Sequence, residues 1–233
     1  ICTALQARLD EQAARGAGGW REREQRANGS AAGQAPQEVA GVTLPEKPPL
    51  AQPADIVYLY DGSQEGFYTC VHESVYTHTL PQAIWPEDVA EPSLYDVRVI
   101  KTDAEKAAKV EASITGKISP RAYELVRWVR LTCMEEKAIA ILRFLLLGFR
   151  HGSRTPWMFA HPQVKPLLDA EKHMMGETHL LKGFIRFSDY DGVLAATISP
   201  KNFVLPFLVK HFVGRYSCEN FLIYDKTHKA ALI

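Results

Sequence analysis

The densest run of titratable side chains is LDAEKHMMGETHLLKGFIRF, residues 168–187. Within it Glu177, His179 and Arg186 bring a carboxylate, an imidazole and a guanidinium to the passage from a helical to an extended pattern. Such a trio could orient a phosphate or shuttle a proton as acid and base. It could equally be a buried hydrogen-bonded junction that fixes the entry of a strand. Glu177 and His179 lie about 200° apart on a helix, so they point to different sides. His173 and Glu177, four apart, share a face. That pair is not HExxH, and the sequence places no third ligand, although His161 or His211 could approach in space. No metal is expected.

Other candidates are weaker. The turn in IVYLYDGSQEGFYTC (56–70) could hold a phosphate at a helix N-terminus, but the second glycine of GxGxxG and the Lys of a P-loop are missing. Asp61, Gly62 and Ser63 therefore read first as a helix start, with a side-chain cap and a positive φ at glycine. Ser63 lacks a nucleophile elbow, and no cysteine sits in an activating context. Asp225 and His228 in YDKTHK could act as acid and base, although a turn-stabilising aspartate is the plainer reading. Basic residues interleave with aromatics: Arg127, Trp128 and Arg130 on one helix, Arg150 and Arg154 in FRHGSRTPW, and Lys182, Lys210 and Arg215 near the end. Arginines and lysines on phosphates with rings for stacking would suit nucleic acid.

The 233 residues carry a formal net charge of zero, which excludes the whole-molecule basic field of a strong nucleic-acid binder. The charge is uneven, however. Residues 55–116 hold eleven acids and four bases, whereas residues 117–154 hold eight bases and three acids. One basic face at the rear is possible, as is a scatter of solvated side chains. Cys2, Cys70, Cys133 and Cys218 are far apart, so neither a zinc ribbon nor a cysteine-held iron–sulfur cluster is expected. No secretory pattern is visible, and AIAILRFLLLGF (138–149) is too short to span a bilayer and contains Arg143. A cytoplasmic protein fits best. The opening Ile1 reads as the start of a fragment or a processed chain.

These side chains need a frame. Residues 1–54, rich in Gly, Ala and Gln and closing on TLPEKPPLAQP, read as a disordered tail or interdomain linker; residues 55–233 read as a single domain. A strand over about 55–60 leads to a helix over 63–77, a strand over 94–100 and an exposed helix over 102–113. Ser119-Pro120 opens the next helix. A nearly all-apolar helix over 135–149 forms the centre. A helix over 162–181 precedes a hairpin over 183–198 around Asp-Tyr-Asp-Gly, a helix over 203–215, and a second hairpin. The fold class is α+β: a helical core with short antiparallel strands or hairpins at its start and end.

YDGSQEGF, ETHLLKGFIRF, ISPKNFVLPFLVKHFVGRY and FLIYDKTHKAAL together resemble an uncharacterised bacterial family of probable DNA metabolism proteins, in order over residues 56–232. Its members are typically encoded beside a radical-SAM protein predicted to modify or repair DNA. A related domain is fused ahead of uracil-DNA-glycosylase-like domains. The recurring positions fall on Asp61, Gly62, Glu65, Gly66, Glu177, His179, Phe184, Arg186, Phe187, Pro206, Phe212 and the Asp225 segment. Leu180 stands where the family usually has Lys. The resemblance implies a DNA modification or repair accessory protein that binds DNA, its radical-SAM partner, or both. Iron–sulfur and SAM chemistry would then belong to the partner, with no cofactor on this chain. The alternatives are an enzyme on nucleic acid or nucleobases using Glu177 and His179, and a pure protein-interaction module.

Overall fold

In the computed structural model of the chain, residues 51–89 and 93–233 are described. The segment read as a tail lies outside them up to residue 50. Its last residues already join the fold: Ala51 is buried, and β1 (Gln52–Pro53) pairs in parallel with β3 (Thr79–Leu80).

The opening strand, β2 (Ile56–Tyr60), runs through the Asp61–Ser63 turn into α1 (Gln64–Tyr76). Ser63 is the N-cap; its hydroxyl accepts the Gly66 amide at 2.9 Å. Gly62 takes φ +78, and Asp61 accepts the Ser63 amide and hydroxyl on one oxygen and the Thr102 hydroxyl on the other. The turn starts the helix, as its residue types imply.

β4 (Ala83–Pro86) and β5 (Asp96–Val99) flank β2 in the order β4-β2-β5, both parallel to it. Here the expected antiparallel strands at the start of the domain are corrected. Alternation marks a strand but not its neighbour's direction. The α1 crossover returns β4 in the same sense as β2, and β5 also lies parallel to β2. Among the described residues β5 is an edge strand exposed on both faces, with Val97 and Val99 at 53% and 56% exposure; Arg98 reaches Glu73 of α1 at 3.4 Å.

The middle is helical: α2 (Ala104–Ser113), a π turn over Ile114–Ile118, α3 (Pro120–Arg130), α4 (Lys137–His151) and α5 (Lys165–Phe184). Ser119 caps α3 through the Ala122 amide, with Pro120 in the first turn. α5 continues to Phe184 and does not yield to a strand at 183. Leu181 and Ile185, four apart, pack on the rear core, and this helical period overrides the alternation of GFIRF.

The rear sheet, β6-β7-β8-β9, is mixed. β6 (Ser188–Tyr190) and β7 (Val193–Ile198) form the first expected hairpin, closed by Asp191 and Gly192, both at positive φ. α6 (Leu205–Arg215) crosses over to β8 (Asn220–Asp225), which is parallel to β7, and β9 (Ala230–Leu232) closes the second hairpin. The α+β class stands.

A front cluster centred on Phe67, Leu125, Leu142 and Phe144 and a rear cluster centred on Met174, Leu208 and Ile223 meet at α3 and α5. There Arg121 grips the buried Glu171 with both guanidinium branches, at 2.7 and 2.5 Å. Close approach also fixes Gly66, where a Cβ would stand 2.2 Å from an Asp61 oxygen and 2.8 Å from the Thr102 hydroxyl. Gly66→Ala should push the Asp61 carboxylate off its partners and cost about 1–3 kcal/mol. Chemical denaturation of the two proteins measures this, and equal midpoints would disprove the packing role.

Candidate functional site

The residues that sequence marked for acid–base work do not converge. Glu177 accepts the amides of Lys201 (2.7 Å) and Asn202 (2.9 Å) and the Asn202 side-chain amide (2.6 Å). Burial opposes its charge, but the Asn202 and Lys201 bonds and nearby His173 outweigh that and hold the carboxyl below its ordinary value. His179 is exposed on the same helix, and Arg186 is exposed beyond the helix end; no hydrogen bond or ion pair among the described residues links either to Glu177. The junction is a clamp. Asn202 is fully buried; its Oδ1 accepts the Cys133 amide at 2.9 Å and its Nδ2 lies 3.1 Å from His173 Nδ1. Since the Asn202 Nδ2 is a donor, Nδ1 of His173 can accept from it only in the tautomer that carries its proton on Nε2. Among the described residues no three His, Cys, Asp or Glu side chains gather as metal ligands.

Asp225 and His228 do meet. Asp225 is fully buried, accepts the Thr227 and His228 amides, and lies 2.7 Å from His228 Nδ1. With Phe203 edge-on to the imidazole, the carboxylate fixes both ring and tautomer. One aspartate thus closes the turn and holds the imidazole. Of the remaining recurring positions, Phe187 packs against Phe212, Tyr216 and Phe221 in the rear core, Phe184 is 74% exposed, and Glu65 lies in the exposed first turn of α1.

The nominated cations are spread over several elements: Arg127 and Arg130 on α3, Arg150 at the end of α4, Arg154 in the following turn, Lys182 on α5, Lys210 and Arg215 on α6. Arg127, Arg130, Arg154, Lys182, Lys210 and Arg215 form no ion pair among the described residues. Arg127 lies over the Tyr123 ring, Arg130 over Phe67 at 5.0 Å and Arg215 over Tyr216.

Arg130 marks the most distinctive chemistry. A cavity of about 240 Å³ opens outside the carboxyl ends of the front strands, lined by Tyr60 at the end of β2, Gly62, Phe67, Arg130, Lys137 and, on its apolar side, Ile141. Carboxyl ends of parallel strands are where open α/β sheets bind ligands. Lys137 is the first residue of α4, whose N-terminus has no side-chain cap. A cation there opposes the helix dipole. Two of its three donors go to the Arg130 and Thr132 carbonyls, at 2.9 and 2.8 Å. Burial, then the Arg130 charge, pushes its pKa down. The neighbouring acids are turned elsewhere: Glu135 and Glu136 line a separate hollow with Arg143, and Asp61 is bound to Ser63 and Thr102. Tyr60, 7% exposed, adds a hydroxyl without a partner among the described residues. Two cations, a free hydroxyl and an uncapped helix start around one cavity are the donors that an anion would need.

Sequence marked Arg130 and Gly62 but missed Tyr60, Phe67 and Lys137. The one local signal was Lys137 itself, a cation opening an otherwise apolar helix, where a carboxylate would be favoured.

Residues 135–233 match the model of a family described as a domain of unknown function, DUF4130. The matched span runs from the approach to α4 through β9, and so includes Lys137, the Glu177 clamp and the Asp225–His228 pair. A search of curated proteins gives no match. No helix among the described residues is long and apolar enough to cross a membrane.

The clamp has a pH signature. Since the folded Glu177 carboxyl titrates below its unfolded value, its stabilisation is complete above that unfolded value and disappears as pH falls through the folded one. Glu177→Gln should lower stability at neutral pH by about 1–3 kcal/mol and flatten the acid limb. Melts from pH 7 to pH 3 read this out; parallel curves for the two proteins would exclude the clamp.

Proposed function

We propose that the protein binds nucleic acid through its phosphates, as a cytoplasmic accessory to a DNA-modifying or DNA-repairing enzyme of the radical-SAM class. The observation that carries the binding reading is the front cavity, where Arg130 and Lys137 face one space with no carboxylate paired to either. A phosphate oxygen would take up the spare donors of Lys137, Arg130 and Tyr60 and relieve the repulsion of two desolvated cations. The exposed Arg127, Arg154, Lys210 and Arg215 and the half-buried Lys182, none in an ion pair among the described residues, supply further contacts. The resemblance to a family of probable DNA metabolism proteins supplies the pathway and the partner.

Affinity for a labelled oligonucleotide should fall steeply with added salt. Arg130→Gln should weaken binding to all sequences alike and reduce the slope of log affinity against log salt by about 1. Arg154→Glu, on an exposed turn, provides a variant that leaves the core intact and should act in the same direction. Absence of salt-sensitive DNA binding, both alone and with the radical-SAM partner, would end the proposal.

A second reading, catalysis on nucleic acid, is favoured by one observation: the Asp225–His228 contact, which orients Nε2 as an acid or base. Its test is turnover of an oligonucleotide that is lost in His228→Gln while DNA affinity persists. Turnover unchanged by that substitution would remove His228 from any mechanism.

A further inference from the structure

Another hollow, of about 260 Å³, lies where α1, α2, the π turn and the last turns of α4 meet. Its character differs from that of the front cavity. Val75, Val110 and Phe149 make the walls apolar, and His72 and Tyr76 line the same space. Their rings, one helical turn apart on α1, are stacked at 4.0 Å with 14° between planes. Tyr76 is 71% exposed, so much of its surface is open to solvent. Nδ1 of His72 is buried without a hydrogen-bond partner; ring packing holds the stack. Burial, then Lys106, shifts the imidazole toward its neutral form, which suits stacking.

Cations stand at the rim. Lys109 comes from α2, and Lys117 is delivered by the π turn, a backbone irregularity that recurs at functional sites. The nearby carboxylates are committed: Glu73 to Arg98 and Glu111 to the Tyr123 hydroxyl. Apolar walls, a stacked aromatic platform and two ammonium groups match one ligand chemistry, a flat ring carrying phosphate at its edge.

We propose that this hollow takes an unpaired nucleobase stacked on Tyr76, with Lys109 and Lys117 meeting the flanking phosphates. The strand preferred by the protein is then single-stranded or locally opened, because a base inside a duplex cannot reach the platform. The inference rests on the nucleic-acid reading above and adds the form of the ligand.

Fluorescence anisotropy with three labelled probes of equal length tests it: a single strand, a duplex, and a single strand of abasic residues with the same backbone charge. The base-bearing single strand should bind about tenfold to a hundredfold more tightly than the abasic one. Tyr76→Ala should close most of that gap and Tyr76→Phe should preserve it. The side chain is exposed, and a melting curve identical to that of the parent protein confirms that folding is intact. Equal affinity for base-bearing and abasic strands, a duplex bound as tightly as the single strand, or a gap unchanged in Tyr76→Ala would each overturn the base-stacking inference while leaving phosphate binding in place. Failure of all three probes to bind would overturn the nucleic-acid reading together with it.

Discussion

Asn202 is a buried amide with every polar atom engaged, and the rest of the molecule is arranged around that fact. Its oxygen fixes the loop between α3 and α4 through the Cys133 amide, while its nitrogen reaches Glu177 and His173 on α5. The next residue adds a main-chain bond, from the Phe203 amide to the Leu131 carbonyl. Leaving such groups unpaired in the interior would cost far more than each bond contributes in net terms. The loop therefore has one conformation compatible with the rear half. Arg130 and Lys137 flank that loop, so the spacing of the two front-cavity cations is set by residues some seventy positions later in the chain. The cavity is a product of both halves.

This arrangement explains why Glu177 carries the marks of a functional residue without meeting His179 or Arg186. A carboxylate accepting three N–H groups from one segment is satisfied, and its lowered pKa follows from those bonds. Perturbed titration accompanies structural clamps as readily as catalysis. The Asp225–His228 pair differs, because there the carboxylate leaves one imidazole nitrogen unclaimed. Arg130 also differs from Arg121: one lies over a ring with donors to spare, whereas the other spends two branches on Glu171.

Legibility in the sequence followed the range of the determining contact. The Ser119-Pro120 helix start, the Ser63 cap, the Asp191-Gly192 turn and both hairpins rest on neighbours within a few positions, and all were readable. The parallel direction of the front strands was not, because it depends on crossover geometry and not on alternation. The extension of α5 to Phe184 was hidden in GFIRF, where two periods compete and tertiary packing of Leu181 and Ile185 decides. The front cavity was least legible. Its lining comes from the ends of two strands, a turn and three helices, and only Lys137 broke a local rule.

The open edge at β5 has a consequence for solution behaviour. Val97 and Val99 alternate with Asp96 and Arg98 along a strand that has no pairing strand on its outer side among the described residues. Such an edge is a template for adding a foreign strand, and interleaved charge is what discourages it. The Glu73 contact keeps Arg98 on the strand and partly neutralises that charge. A strand added at this edge would have to desolvate or break the Arg98–Glu73 pair, a cost that opposes edge-to-edge pairing.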